Sequence, residues 1–146
     1  MWGRRRWRRL LSGCAIILGN CAVPPEVPPA GPRYDGVYVS QDTLVTGVAF
    51  QCGAPDLPVR MEVRDGRFAY PFQVSPPRVA SLPVQIAADG SMTGQMQYGM
   101  GEEIFGLSRD LNDWVLLRGR ISGPTIEATI TTLRCTRRLI GQRSAG

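Results

Sequence analysis

Asp65-Gly66 sits between two runs of strictly alternating apolar residues, and no other feature of the 146-residue chain limits its fold so sharply. Upstream, Leu57, Val59, Met61 and Val63 alternate with Pro58, Arg60, Glu62 and Arg64. Downstream, Phe68, Tyr70, Phe72 and Val74 alternate with Arg67, Ala69, Pro71 and Gln73. Asp-Gly suits a two-residue type I′ turn, in which both central residues take positive φ. That turn predicts Val63 opposite Phe68, Met61 opposite Tyr70 and Val59 opposite Phe72, with every apolar side chain on one face. Pro58 and Pro71 each remove a ladder donor, so this hairpin is expected at an edge or a bulge.

Two further turns are tested the same way. At Asp89-Gly90 a two-residue loop mismatches the faces. A three-residue loop, Ala88-Asp89-Gly90, instead pairs Ile86 with Met92, Val84 with Gly94 and Leu82 with Met96. At Gly123-Pro124 a two-residue loop opposes Ile121 to Ile126, Gly119 to Ala128 and Leu117 to Ile130, and sets Arg120 across from Glu127. Strands over Tyr34–Gln41, Leu44–Gln51 and Trp114–Ile121, with a last strand ending at Leu139, bring the total to eight or nine. Short connections make antiparallel neighbours the simplest topology. The chain is therefore read as all-β, a single antiparallel meander forming a small closed or partly open barrel, with a β-sandwich as the alternative.

Charge narrows the function classes. Arg4, Arg5, Arg6, Arg8 and Arg9 carry five of the 17 cations, leaving 12 arginines against 12 acids downstream. The net +5 thus belongs to the N-terminus, and a nucleic-acid reading, which needs clustered charge on the folded domain, is not favoured. Arg134, Arg137, Arg138 and Arg143 form a modest basic end, read as the solvated surface of a last strand and tail. The chain contains no His and no Lys. Ser–His–Asp and Cys–His nucleophiles, His-ligated zinc and Schiff-base lysines are excluded.

The N-terminus reads as an address. A positive segment to Arg9 precedes the apolar Leu10–Gly19, too short for a transmembrane helix of about 20 residues. Residues 1–20 are read as a signal segment and 21–33 as a proline-rich tether. In that tether Val23–Pro32 holds five prolines and should be extended. Residues 34–140 form the barrel-like domain and 141–146 a flexible tail. Cys14 and Cys21 both resemble the lipidated cysteine of a bacterial lipobox. Cys21 is preferred because a usable apolar region precedes it, although Asn20 is an unusual neighbour. Ordinary signal-peptidase cleavage is the alternative. The expected location is the periplasm or outer membrane, with lipid anchoring if Cys21 is modified.

Cys52 and Cys135 are expected to pair in that oxidising compartment. Such a bond would stabilise the domain by about 4–5 kcal/mol on a chain-entropy estimate. Met92, Met96 and Met100 share one strand face and are read as core filler rather than a Cu(I) site. Glu102 and Glu103 could divide acid and base roles only across a cleft; no catalytic residue, metal or cofactor is assigned. GMGEEIFG, residues 99–106, is the most flexible-looking loop and a candidate contact for a partner or ligand. Eight aromatic residues (Tyr34, Tyr38, Phe50, Phe68, Tyr70, Phe72, Tyr98 and Trp114) either fill the barrel or line a cavity within it.

With Tyr34-Asp35-Gly36-Val37-Tyr38, Val63-Arg64-Asp65-Gly66-Arg67-Phe68, Gly119–Gly123 and Arg134-Cys135-Thr136, the chain resembles a group of uncharacterised exported bacterial lipoproteins. That resemblance implies a β fold built on DG hairpins and a late cysteine, and it implies no activity. The functional expectation is a non-catalytic cell-envelope module binding a protein partner or a small apolar ligand. Alternatives are an inhibitor of a periplasmic or secreted hydrolase and a weak carboxylate-based enzyme. No SGxxY or lysine-glycine inhibitor motif is present.

Overall fold

A computed structural model describes residues 27–75, 78–104 and 107–145, with the backbone alone at 75, 100–104 and 107–112. Its strands are β1 (Gly36–Thr46), β2 (Asp56–Val63), β3 (Arg67–Ser75), β4 (Arg78–Ile86), β5 (Ser91–Ile104), β6 (Leu107–Ser122), β7 (Thr125–Thr131) and β8 (Thr136–Arg143). All neighbours are antiparallel, in the order β2-β1-β8-β7-β6-β5-β4-β3. The meander is thus a nearly closed barrel. Its first and last strands pair with each other, and its two free edges meet at the Asp65-Gly66 turn.

The turn forms as expected, and the ladder beyond it does not. Asp65 and Gly66 take φ of 49° and 70°, and Arg64 and Arg67 exchange both backbone hydrogen bonds at 2.9 and 3.0 Å. From there β2 pairs with β1 and β3 with β4. Alternate residues of an antiparallel strand direct their backbone groups to opposite neighbours. Arg64 and Arg67 therefore fix the side on which Pro58, Arg60, Glu62, Ala69 and Pro71 face the seam. Both prolines place their missing N–H there, where no ladder requires it.

A second interruption has a similar cause. β4 and β5 pair at Ile86↔Met92, Gln85↔Thr93 and Val84↔Gly94, the register predicted from a glycine-bulged turn, with Gly90 at φ 85°. The expected Leu82↔Met96 pair is not formed. Pro83 is the next residue facing β5 and has no donor to offer, so the ladder stops. β5 and β6 continue together to Ile104↔Leu107. The β6–β7 register agrees at every predicted pair, including Arg120↔Glu127.

Several strand boundaries need correction, among them the expected loop at 99–106, where β5 runs on to Ile104, and the strand expected from Trp114, which starts at Leu107 as β6. Tyr34–Gln41 and Leu44–Gln51 were expected as separate strands. β1 instead runs unbroken through Gln41-Asp42-Thr43, where nothing breaks the chain, and a helical turn, α1 (Ala49–Cys52), follows it. Tyr34 belongs to a 3-10 turn, Gly31–Tyr34, before β1 begins. At the far end β8 extends to Arg143, three residues into the segment expected as tail.

Inward residues from all eight strands fill the barrel. Tyr38, Met61, Tyr70, Leu82, Ile86, Met92, Leu117, Ile126, Ile130 and Leu139 are all but inaccessible to solvent. The end carrying the β2–β3, β4–β5 and β6–β7 turns is covered by the chain that leads in from residue 27. Ala30 N–H donates to the Ile86 carbonyl at 2.8 Å, and Pro29 bridges to Ala87. The last part of the expected tether is therefore laid against the domain. The opposite end carries α1, the β7–β8 turn and the start of the β5–β6 hairpin.

Candidate functional site

The inward row of β1 begins with Tyr38 but continues with Ser40 and Asp42, both buried. A buried carboxylate requires a partner, and the next strand supplies one. Arg137 on β8 lies in the inward row with Leu139, its side chain 5% exposed against 1% for Asp42. Its Nε donates to Asp42 Oδ1 at 2.8 Å and Nη1 to the Cys52 carbonyl at 2.9 Å. Nη2 donates to the carbonyls of Ala54 at 2.8 Å and Asp42 at 3.2 Å. Tyr70 from β3 donates its hydroxyl to the other carboxylate oxygen, Oδ2. Burial, then the negative charge of Asp42, holds the Tyr70 phenol far above its ordinary pKa, so it remains a neutral donor. Arg137 was expected on a solvated surface. β8 carries Arg-Arg-Leu-Ile, and Ile140 rather than Arg137 faces outward, 41% exposed.

This cluster holds the loop between β1 and β2 from below, and the Cys52–Cys135 disulfide holds it from the side. The bond is formed as expected, with a Cα–Cα distance of 5.8 Å. Cys52 ends α1 rather than a strand. Facing α1 across the bond is the turn Thr132–Cys135. There Thr132 N–H donates to the Cys135 carbonyl at 2.8 Å, and Thr132 Oγ1 accepts from Cys135 N–H at 3.0 Å. Asp113 on β6 secures the same turn, since its Oδ2 accepts from Leu133 N–H at 3.2 Å and from the Tyr98 hydroxyl at 2.9 Å. Burial and that hydrogen bond push the Tyr98 pKa up to about 12.

A cleft of about 20 Å³ opens between these loops, lined by Cys52, Phe72, Gln73, Tyr98, Ile130 and Arg137 among others. It has room for one water, for which the buried Gln73 Oε1 is an open acceptor among the described residues. It has no room for an organic ligand, since such sites measure roughly 300–1,000 Å³. A larger hollow of about 580 Å³ lies on the outer surface over β3–β6, between Arg67, Gln85, Thr93, Gln95 and Arg118.

Six of the eight aromatic residues fill the interior, with Phe72 and Tyr98 in edge-to-face contact at 5.0 Å. The other two lie outside it: Phe50 is 79% exposed and Trp114 52%. Phe50 breaks the expectation because α1 replaces a strand, and Trp114 because it occupies the outward row of β6. Met92 is buried in the core and Met96 packs against it; the side chain of Met100 lies outside the described residues. Glu102 and Glu103 pair with Arg109 and Ser108 in the β5–β6 ladder. Their side chains, and all of Cys14 and Cys21, lie outside the described residues. Among the described residues no group of three His, Cys, Asp or Glu could hold a metal, and no helix is long and apolar enough to cross a membrane. In comparisons with protein-family models, curated proteins and solved structures, the chain matches none.

Proposed function

We propose that this chain is a non-catalytic module of the bacterial cell envelope, held outside the cytoplasm by its N-terminal segment, that binds a protein partner on its outer surface. The filled interior carries this reading. Side chains from every strand meet at the barrel axis, and the cleft that reaches them admits one water. Of the two ligand classes expected from sequence, a small apolar molecule has no interior site among the described residues, whereas a protein needs only surface. An inhibitor of a periplasmic or secreted hydrolase is the most specific form of the same reading. It draws support from the disulfide-held loop that offers Phe50 to solvent.

Sedimentation of the tagged full-length chain, extracted from its own envelope in mild detergent, tests the reading. Migration well above the 16.0 kDa of the chain, reversed by mild denaturant, is the expected result. Migration as a free monomer at every extraction strength would refute it.

A further inference from the structure

On the outside of the barrel, Arg67, Gln85, Thr93 and Arg118 stand in one row. Arg67↔Gln85, Gln85↔Thr93 and Thr93↔Arg118 are partners in successive ladders of β3–β6. Their side chains point outward, alternating with the buried Phe68, Val84, Met92 and Leu117. The row borders the hollow of about 580 Å³, which also includes the half-buried Leu116. At about 4.8 Å per strand spacing, the backbones of the two arginines lie about 14 Å apart, so their side chains can lean inward over Gln85 and Thr93.

The hollow's own charge is positive only. None of the residues lining it is acidic, and among the described residues neither arginine has a carboxylate within 4 Å. The acids around it have partners of their own. Glu62 accepts from Arg64 at 2.6 Å, Asp89 accepts from Ser91 at 2.6 Å, and Glu127 stands opposite Arg120 in the β6–β7 ladder. Asp65, in the turn two residues before Arg67, does not come within 4 Å of it.

The chain itself brings a carboxylate to this place. Gln85 Nε2 donates to the Val27 carbonyl at 2.8 Å. Val27 borders a second hollow, of about 250 Å³, that shares Gln85 and Thr93 with the first. Glu26, the only acid before Asp35, is the residue bonded to Val27, with its Cα about 3.8 Å from that of Val27. The described chain therefore begins beside the middle of the row, and the next residue upstream is the acid. Arg33, a further cation near this entry, is already engaged by the Ala88 carbonyl at 3.2 Å and by the Tyr34 ring. Pro24 and Pro25 precede Glu26, and their fixed φ lowers the entropy lost on docking.

We infer that the hollow over β3–β6 is the seat of this chain's own residues 23–26, with the Glu26 carboxylate held between Arg67 and Arg118. The chain ahead of them then leaves from a fixed place on this face, which sets how the barrel stands on any anchor at Cys21, and a partner protein binds elsewhere on the barrel. The test is photo-cross-linking of the full chain, purified in mild detergent from cells expressing it. p-Benzoylphenylalanine replaces Gln95, an exposed residue of the hollow, with Val39 on the outer face of β1 as the control position. Expected is a link within one chain from position 95 to residues 23–26, located by digestion and fragment masses, and absent from position 39. Glu26→Gln and Arg118→Glu should each lower its yield about two- to fivefold, the size expected of an exposed ion pair. Glu26→Arg combined with Arg118→Glu should restore it. Salt at about 1 M, where screening acts beyond roughly 3 Å, should lower the yield of the unsubstituted pair and leave that of Glu26→Gln unchanged. No link to residues 23–26, or one equally strong from position 39, would overturn the inference. A link that Glu26→Gln and salt both leave unchanged would overturn the pairing with Arg67 and Arg118. A link from position 95 to a second copy or to another protein in its place would give the hollow to that occupant instead.

Discussion

Replacing Asp42 with Asn changes almost no volume and removes one charge, and its consequence follows from the surroundings of Arg137. The guanidinium is 5% exposed and faces one carboxylate and three backbone carbonyls. Without the carboxylate, a full positive charge is left in the barrel with only dipoles to stabilise it. Removing one member of a buried ion pair costs about 3–5 kcal/mol, a large part of the roughly 5–15 kcal/mol that stabilises a domain. At 1.4 kcal/mol per decade the unfolding constant should rise about 10²–10³-fold or more. Removing both charges in Asp42→Leu/Arg137→Met should recover part of that loss. What remains is the Cys52, Asp42 and Ala54 carbonyls without their donor and the Tyr70 hydroxyl without its acceptor, each about 1–3 kcal/mol at most; Tyr70→Phe should relieve the last in the triple variant. Urea unfolding at pH 7 of the oxidised proteins, followed by Trp fluorescence with the slope checked for constancy, measures each step. An Asp42→Asn cost below about 1 kcal/mol, or a double variant no more stable than the single, would refute the assignment of Asp42–Arg137 as a buried, mutually dependent pair.

Other outcomes follow from the same structure. Reducing Cys52–Cys135, which closes a loop of 83 residues, should lower stability by about 4–5 kcal/mol; urea midpoints with and without reductant test this. In alkaline spectrophotometric titration one tyrosine should ionise near pH 12 and disappear in Tyr98→Phe. Because that folded value exceeds the free phenol's, its stabilising contribution is complete below about pH 10 and is lost as pH rises toward 12. Hydrogen exchange should find the amides of Arg60, Glu62 and Ala69, which face the seam, poorly protected. Those of Val39 and Gln41, inside the β1–β8 ladder, should exchange far more slowly.

Local turn chemistry was the legible part of this fold. Gly123-Pro124 predicted its register at every pair, and Gly90 placed the bulge that aligns Ile86 with Met92. Asp65-Gly66 predicted its own turn but not the partners of the strands it joins, because a turn constrains only its nearest residues. Which strands pair farther along depends on how the barrel closes, and that contact, between β1 and β8, is the most distant in sequence. Pro58 and Pro71 did mark an edge, and Pro83 carries the same message for the β4–β5 ladder. The disulfide was readable from the expectation of an oxidising compartment and from Cys52 and Cys135 being the two cysteines of the domain. Arg137 was not, since a pattern of arginine beside leucine and isoleucine permits either face to turn inward. The one hint was Asp42 in the inward row of Tyr38, a carboxylate that burial obliges to find a cation. Phe50 was misread because Ala49-Phe50-Gln51 looks apolar enough to continue a strand, whereas the chain turns into α1, which buries Cys52 and leaves Phe50 exposed.

Native mass spectrometry of the full chain, taken gently from the cells that make it and compared with its denatured intact mass, addresses the central claim most directly. If the barrel is filled and works from its surface, the native ion carries another polypeptide and no retained small molecule. Its denatured mass then lacks two hydrogens for Cys52–Cys135. A retained apolar molecule, lost only on denaturation and without any partner protein, would contradict the account.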